Sequence, residues 1–148
     1  MDALQISLRV TAPDPDVARV SVARRQFSIG RPLEFDETSP RIAAIEYALG
    51  AVGGEIVNGL RAFADRRRLP IDAVEAVVTG ELTNGLTYLE VVGEQGQPKI
   101  ARIRVKVFAA AADTVAVRTV FEQMLDRLPL VCTLRAVLDL TIELILTP

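Results

Sequence analysis

Apolar residues recur every three or four positions through the middle of the chain: Ile42, Ile45, Leu49, Val52, Ile56, Leu60 and Phe63. That spacing lays them on one stripe of a helix. Ser39–Pro40 offers an N-cap hydroxyl followed by a ring pre-set for the first helical position. Arg66, Arg67 and Arg68 crowd the far end, where cations suit the helix dipole, and Pro70 closes it. The pattern predicts a central helix over 39–69. Gly50, Gly53 and Gly54 fall inside it, each costing about 1 kcal/mol against alanine. Two accounts are open: close approach of another element across Gly50 and Gly54, or a kink at the adjacent pair.

Elsewhere the period is two. Leu4, Ile6, Leu8 and Val10 alternate with Gln5, Ser7 and Arg9, which predicts a half-buried strand over 3–10. Two prolines mark 11–16 as a turn. A strand is expected near 18–29, ended by Gly30, and a short one at 33–35. Beyond the helix, 72–82 reads as a strand, with Val77 an odd apolar residue on its polar side. Thr83-Asn84-Gly85 signals a turn, 86–92 a weaker strand and 93–98 another turn. The clearest strand is 99–109. Ala101, Ile103, Val105, Val107 and Ala109 share one face, and Arg102, Arg104 and Lys106 the other. Asp113 is placed to cap a second helix whose apolar stripe is Val117, Val120 or Phe121, Met124 and Leu128, and which Pro129 ends. A short helical turn over 130–135 precedes a last strand at 137–146. If that strand neighbours 99–109, Asp139 and Glu143 pair with the basic row, each pair contributing a few tenths of a kcal/mol. Runs of strands with few helices between them indicate α+β, with antiparallel sheets.

At 148 residues, half of them hydrophobic, the chain reads as one domain, 1–148. It divides into N-terminal strands (1–38), the central helix (39–69), and strands, second helix and final strand (71–148). The net charge of −2 argues against a nucleic-acid partner. With no histidine, the usual general base and the commonest zinc ligand are missing. No cofactor or metal is expected, and the mid-helix glycines lack the preceding strand of a phosphate loop. The lone Cys132 cannot form an internal disulfide, which suits a reducing, cytoplasmic setting. No secretory leader pattern is visible. Glu46, Glu55, Arg61 and Asp65 interrupt the long helix, so no membrane span is expected.

Three local signatures, in this order, resemble the OsmC/Ohr family of bacterial peroxide-reducing proteins. The first is Ser39-Pro40, then Ala48-Leu49-Gly50-Ala51 and the tail Phe63-Ala64-Asp65-Arg66-Arg67-Arg68-Leu69. The second is Thr83-Asn84-Gly85-Leu86 leading to Val91-Val92-Gly93-Glu94. The third is Leu128-Pro129-Leu130-Val131-Cys132-Thr133-Leu134-Arg135. The resemblance spans about 30–146. It implies an intertwined homodimer whose site is built from both subunits. It also implies two cysteines: one thiolate attacks a hydroperoxide and becomes a sulfenic acid, and the second condenses with it to a disulfide. The positions that match them hold Val52 and Leu128. The family mechanism therefore does not carry over, and an apolar pocket for a small hydrophobic molecule is the expectation at these positions. Cys132, near a helix start, is the alternative: a one-cysteine hydroperoxide reductase with an outside thiol as resolver. An arginine and a glutamate steady the thiolate in the family. Arg25, with Glu46 or Glu55, are the candidates here, each also readable as a surface charge.

Overall fold

A computed structural model describes residues 2–35 and 39–148. They divide into two compact units, Met1–Ala48 and Leu49–Pro148.

The first unit holds a three-stranded antiparallel sheet in the order β1 (Arg9–Asp14), β2 (Val17–Val22), β3 (Arg25–Gly30). The alternation at 3–10 does not mark the strand's extent, because regular pairing begins only at Arg9. Pro13 falls where the register shifts between Thr11 and Asp14, and β1 is an edge strand, the place in a sheet that tolerates proline. The expected single strand at 18–29 is a hairpin. Its turn uses Ala23 at φ 53°, a left-handed conformation that carries no glycine or asparagine signal here. The expected strand at 33–35 does not form. Residues 36–38, the end of the N-terminal segment 1–38, lie outside the described residues.

Helix α1 (Ala44–Arg66) is 23 residues long and starts later than Ser39–Pro40 suggests. The Ser39 Oγ instead accepts from the Arg41 N–H at 3.1 Å, closing a local turn. The helix start is served by Glu46, whose Oε1 accepts from the Ala43 N–H at 2.9 Å, the reach-back half of a capping box.

The second unit is a sheet in the order β4 (Ala73–Thr83), β5 (Lys99–Ala110), β6 (Asp139–Thr147), with α3 (Thr114–Leu125) and α4 (Pro129–Arg135) between the last two strands. The short helix α2 (Gly85–Tyr88) replaces the strand expected at 86–92, entered through Asn84 at φ 52°. Strands β4 and β5 are antiparallel, whereas β5 and β6 are parallel, so this sheet is mixed. The fold class is α+β. Asp113 caps α3 as its sequence indicates, its Oδ1 accepting from the Ala116 N–H at 2.9 Å. Pro129 does not end that helix but opens α4 at its first turn, where a missing N–H costs nothing.

The core of this unit joins Val52, Ile56 and Leu60 of α1 to Ile103, Val105 and Val107 of β5, Val117, Phe121 and Met124 of α3, and Leu144 of β6. Fully burying each such side chain contributes about 1.5–3 kcal/mol. Ala101 departs from the expected inward row and is exposed. The register slips between Glu81 and Leu82, and Ile100 takes the inward place. On the opposite face Arg102 donates to Asp139 at 2.8 Å and to Glu81 at 3.4 Å, while Arg104 meets Glu81 at 3.2 Å. The hydrogen bond to Asp139, then the charges of Glu81 and Asp139, hold the Arg102 guanidinium above its ordinary pKa. The Arg102–Asp139 pair answers one half of the charge pairing expected from the strand pattern; Glu143, in register with Lys106, makes no ion pair among the described residues.

The mid-helix glycines resolve differently from the expectation. A Cβ at Gly50 or Gly54 would meet nothing within 4 Å, whereas one at Gly53 would sit 2.7 Å from Val78 Cγ2. Close approach to the sheet occurs at Gly53. A second close approach is at Gly59, where an added Cβ would lie 3.0 Å from Leu128 Cδ2 and 3.1 Å from Met124 Sδ.

Candidate functional site

Four of the sequence-nominated residues, Val52, Glu55, Leu128 and Cys132, belong to the second unit. Arg25 and Glu46 belong to the first. Val52 is 2% exposed and Leu128 is 6% exposed, and both are members of the main hydrophobic core. Their side chains sit at different levels of α1. Leu128 lies against Gly59, seven residues or about 10 Å of helix beyond Val52.

Glu55 is one turn past Val52 and crosses to α4. Both carboxylate oxygens lie 3.1 Å from the Leu130 N–H, and Oε2 accepts from the Val131 N–H at 3.3 Å. These are N–H groups of the first α4 turn, which have no partner within the helix. The carboxylate also faces the positive end of the helix dipole. Glu55 thus ties α4 to α1 across 75 positions of sequence. The sequence nominated Glu55 for thiolate support; the geometry assigns it a capping contact, as it assigns one to Glu46 at the start of α1.

Cys132 is exposed. Its backbone N–H makes the first intrahelical bond, to the Leu128 carbonyl at 2.9 Å. Its sulfur lies 3.8 Å from the Leu125 carbonyl oxygen, within reach of a weak S–H donor. The Leu130 and Val131 N–H groups at the start of α4 are turned to Glu55. Arg25 opens β3, paired in register with Val22, and is exposed. Among the described residues no group of three or more His, Cys, Asp or Glu side chains could hold a metal ion, and no helix is long and apolar enough to cross a membrane.

Glu46 lines a cavity of the first unit together with Arg31 and Arg41; two other cavities, on the outer side of α3 near Arg118 and on the sheet surface near Phe108, are lined by none of the nominated residues.

No family model matches the sequence, and no curated protein matches it either. Solved structures do. An OsmC-like protein from Mycoplasma pneumoniae superposes with a TM-score of 0.79 over 100% of both chains, at 14% identity. The fold is that of the OsmC-like proteins. An organic hydroperoxide resistance protein OsmC from Legionella pneumophila matches with a TM-score of 0.70 at 8% identity, covering 97% of this chain and 98% of that one. The organic hydroperoxide resistance protein OhrB of Bacillus subtilis matches at 0.59 with 16% identity, over 94% and 98%. At such identities the OsmC likeness concerns the fold.

Proposed function

We propose that this chain is an OsmC-fold protein without hydroperoxide-reducing activity, acting as a cytoplasmic homodimer with an apolar pocket at the subunit interface. One observation carries the first part. At both positions where the sequence resemblance places a reactive thiol, an aliphatic side chain is buried in the core: Val52 and Leu128. Thiol peroxidation transfers one oxygen, so that Cys–SH and ROOH become Cys–SOH and ROH, and it begins from an accessible thiolate. Neither residue can begin it.

Hydroperoxide resistance, named for the Legionella and Bacillus proteins, comes to this chain only through Cys132. Its exposure is what favours that second reading. Its hydrogen bond to Leu125 and the occupation of the α4 start by Glu55 favour the first.

The dimer is supported by what the first unit lacks. Its buried apolar residues, among those described, are Val17, Val20 and Ala43. Leu4 is 88% and Ile6 71% exposed, and Leu8, Val10, Phe27 and Phe35 are exposed with them. A three-stranded sheet with so small a core needs cover for its apolar positions. A second copy supplies it, and a small hydrophobic molecule is the ligand such an interface pocket takes.

Sulfenic-acid trapping tests the thiol reading. After cumene hydroperoxide treatment in the presence of dimedone, intact-mass analysis should show the unmodified chain. Rapid stoichiometric addition of dimedone at Cys132 would establish the one-cysteine peroxidase instead.

A further inference from the structure

The first unit contains a cavity of about 380 Å³ where the chain leaves the end of β3 and returns through 39–41. Gly30 holds these two arms together. Its N–H donates to the Ile42 carbonyl at 2.8 Å, and it forms a parallel bridge with Ala43. A Cβ at position 30 would sit 2.7 Å from the Arg41 Cβ, so the approach depends on glycine. The stitch brings Arg31 and Arg41 onto the same cavity.

Their charges are not equally matched. Arg31 is met by Glu34 at 3.1 Å and by Asp16 at 3.6 Å. The Glu46 carboxylate is engaged by the Ala43 N–H at the start of α1. The Arg41 guanidinium has no hydrogen-bond or ion-pair partner among the described residues. Pro32, Leu33 and Pro40 supply the apolar wall beside it. The cavity therefore offers one unmatched planar cation next to a small hydrophobic surface, within the size range of small-molecule sites.

We propose that this cavity binds a small organic carboxylate, its carboxylate held by the Arg41 fork and its hydrocarbon body against Pro32 and Pro40. This goes beyond the reading of the thiol positions and the dimer, and rests on neither.

The probes are benzoate and hexanoate, with benzamide and hexanamide as uncharged counterparts, followed by saturation-transfer NMR and titration calorimetry. Both acids should bind the wild-type protein and neither amide should. The Arg41→Gln variant, whose altered side chain is exposed, should keep the wild-type melting curve and lose at least about tenfold in affinity for the acids. Arg41→Lys, which keeps the charge but not the fork, should fall between them. No acid binding to the wild type up to ~10 mM, equal affinity in Arg41→Gln, or amides binding as well as acids would each overturn the proposal.

Discussion

Gly53 shows how much a single hydrogen atom in place of a side chain can decide. Alanine there would place a methyl 2.7 Å from Val78 Cγ2, on a helix packed against a sheet. Gly53→Ala is expected to lose about 1–3 kcal/mol by overpacking, despite the better helix propensity of alanine. Gly54→Ala, which meets nothing within the chain, should not show that loss. Urea unfolding of the two variants side by side measures the difference. The sequence shows three glycines in a helix, but not which one faces the sheet, because that depends on where Val78 falls across the fold. Asp113 was legible for the opposite reason: its capping contact reaches only three residues on, so local chemistry suffices. Ser39–Pro40 carried the same kind of local signal and closed a turn instead, while Glu46 served the helix start.

Elements with strong periodicity are where pattern and structure agree. The β5 row from Ile103 to Ala109 and the apolar stripes of α1 from Val52 to Leu60 and of α3 from Val117 to Met124 follow their sequence spacing because each buries one face in a shared core. Agreement fails where pairing or backbone conformation, not burial, sets the element. Nothing in the apolar pattern of β6 distinguishes parallel from antiparallel pairing with β5. The turn at Ala23 lacks turn residues, and 86–92 is apolar enough for a strand yet enters a helical turn from Asn84. The Glu55 tie between α1 and α4 was also out of reach, since its partners lie 75 positions away. Glu55→Ala should cost about 1–2 kcal/mol, as loss of a helix cap does. Glu55→Gln, which keeps one acceptor, should cost less. Hydrogen exchange at the Leu130 and Val131 amides should speed up in the alanine variant before global unfolding does. Equal exchange in wild type and Glu55→Ala would remove the carboxylate from its capping role.

At the scale of the whole molecule, the alternation of Leu4, Ile6, Leu8 and Val10 signals burial that the single chain does not provide. The pattern predicts a half-buried strand over 3–10, and in the proposed homodimer the second copy would supply the cover. Light scattering at micromolar concentration should give twice the chain mass of 16.1 kDa. Ile6→Asp, which sets a charge in the proposed interface, should shift that mass toward the monomer. A monomeric wild-type protein would remove the dimer from the account. Such a result would leave untouched the claim that matters most, that the OsmC fold is kept here without its thiol chemistry. Consumption of cumene hydroperoxide with excess dithiol, for the wild type beside Cys132→Ser, tests that claim most directly. Both should consume it at the same background rate, because on the proposed reading Val52 and Leu128 replace the reactive thiols. Turnover by the wild type that disappears in Cys132→Ser would contradict it and make Cys132 the working residue of a one-cysteine peroxidase.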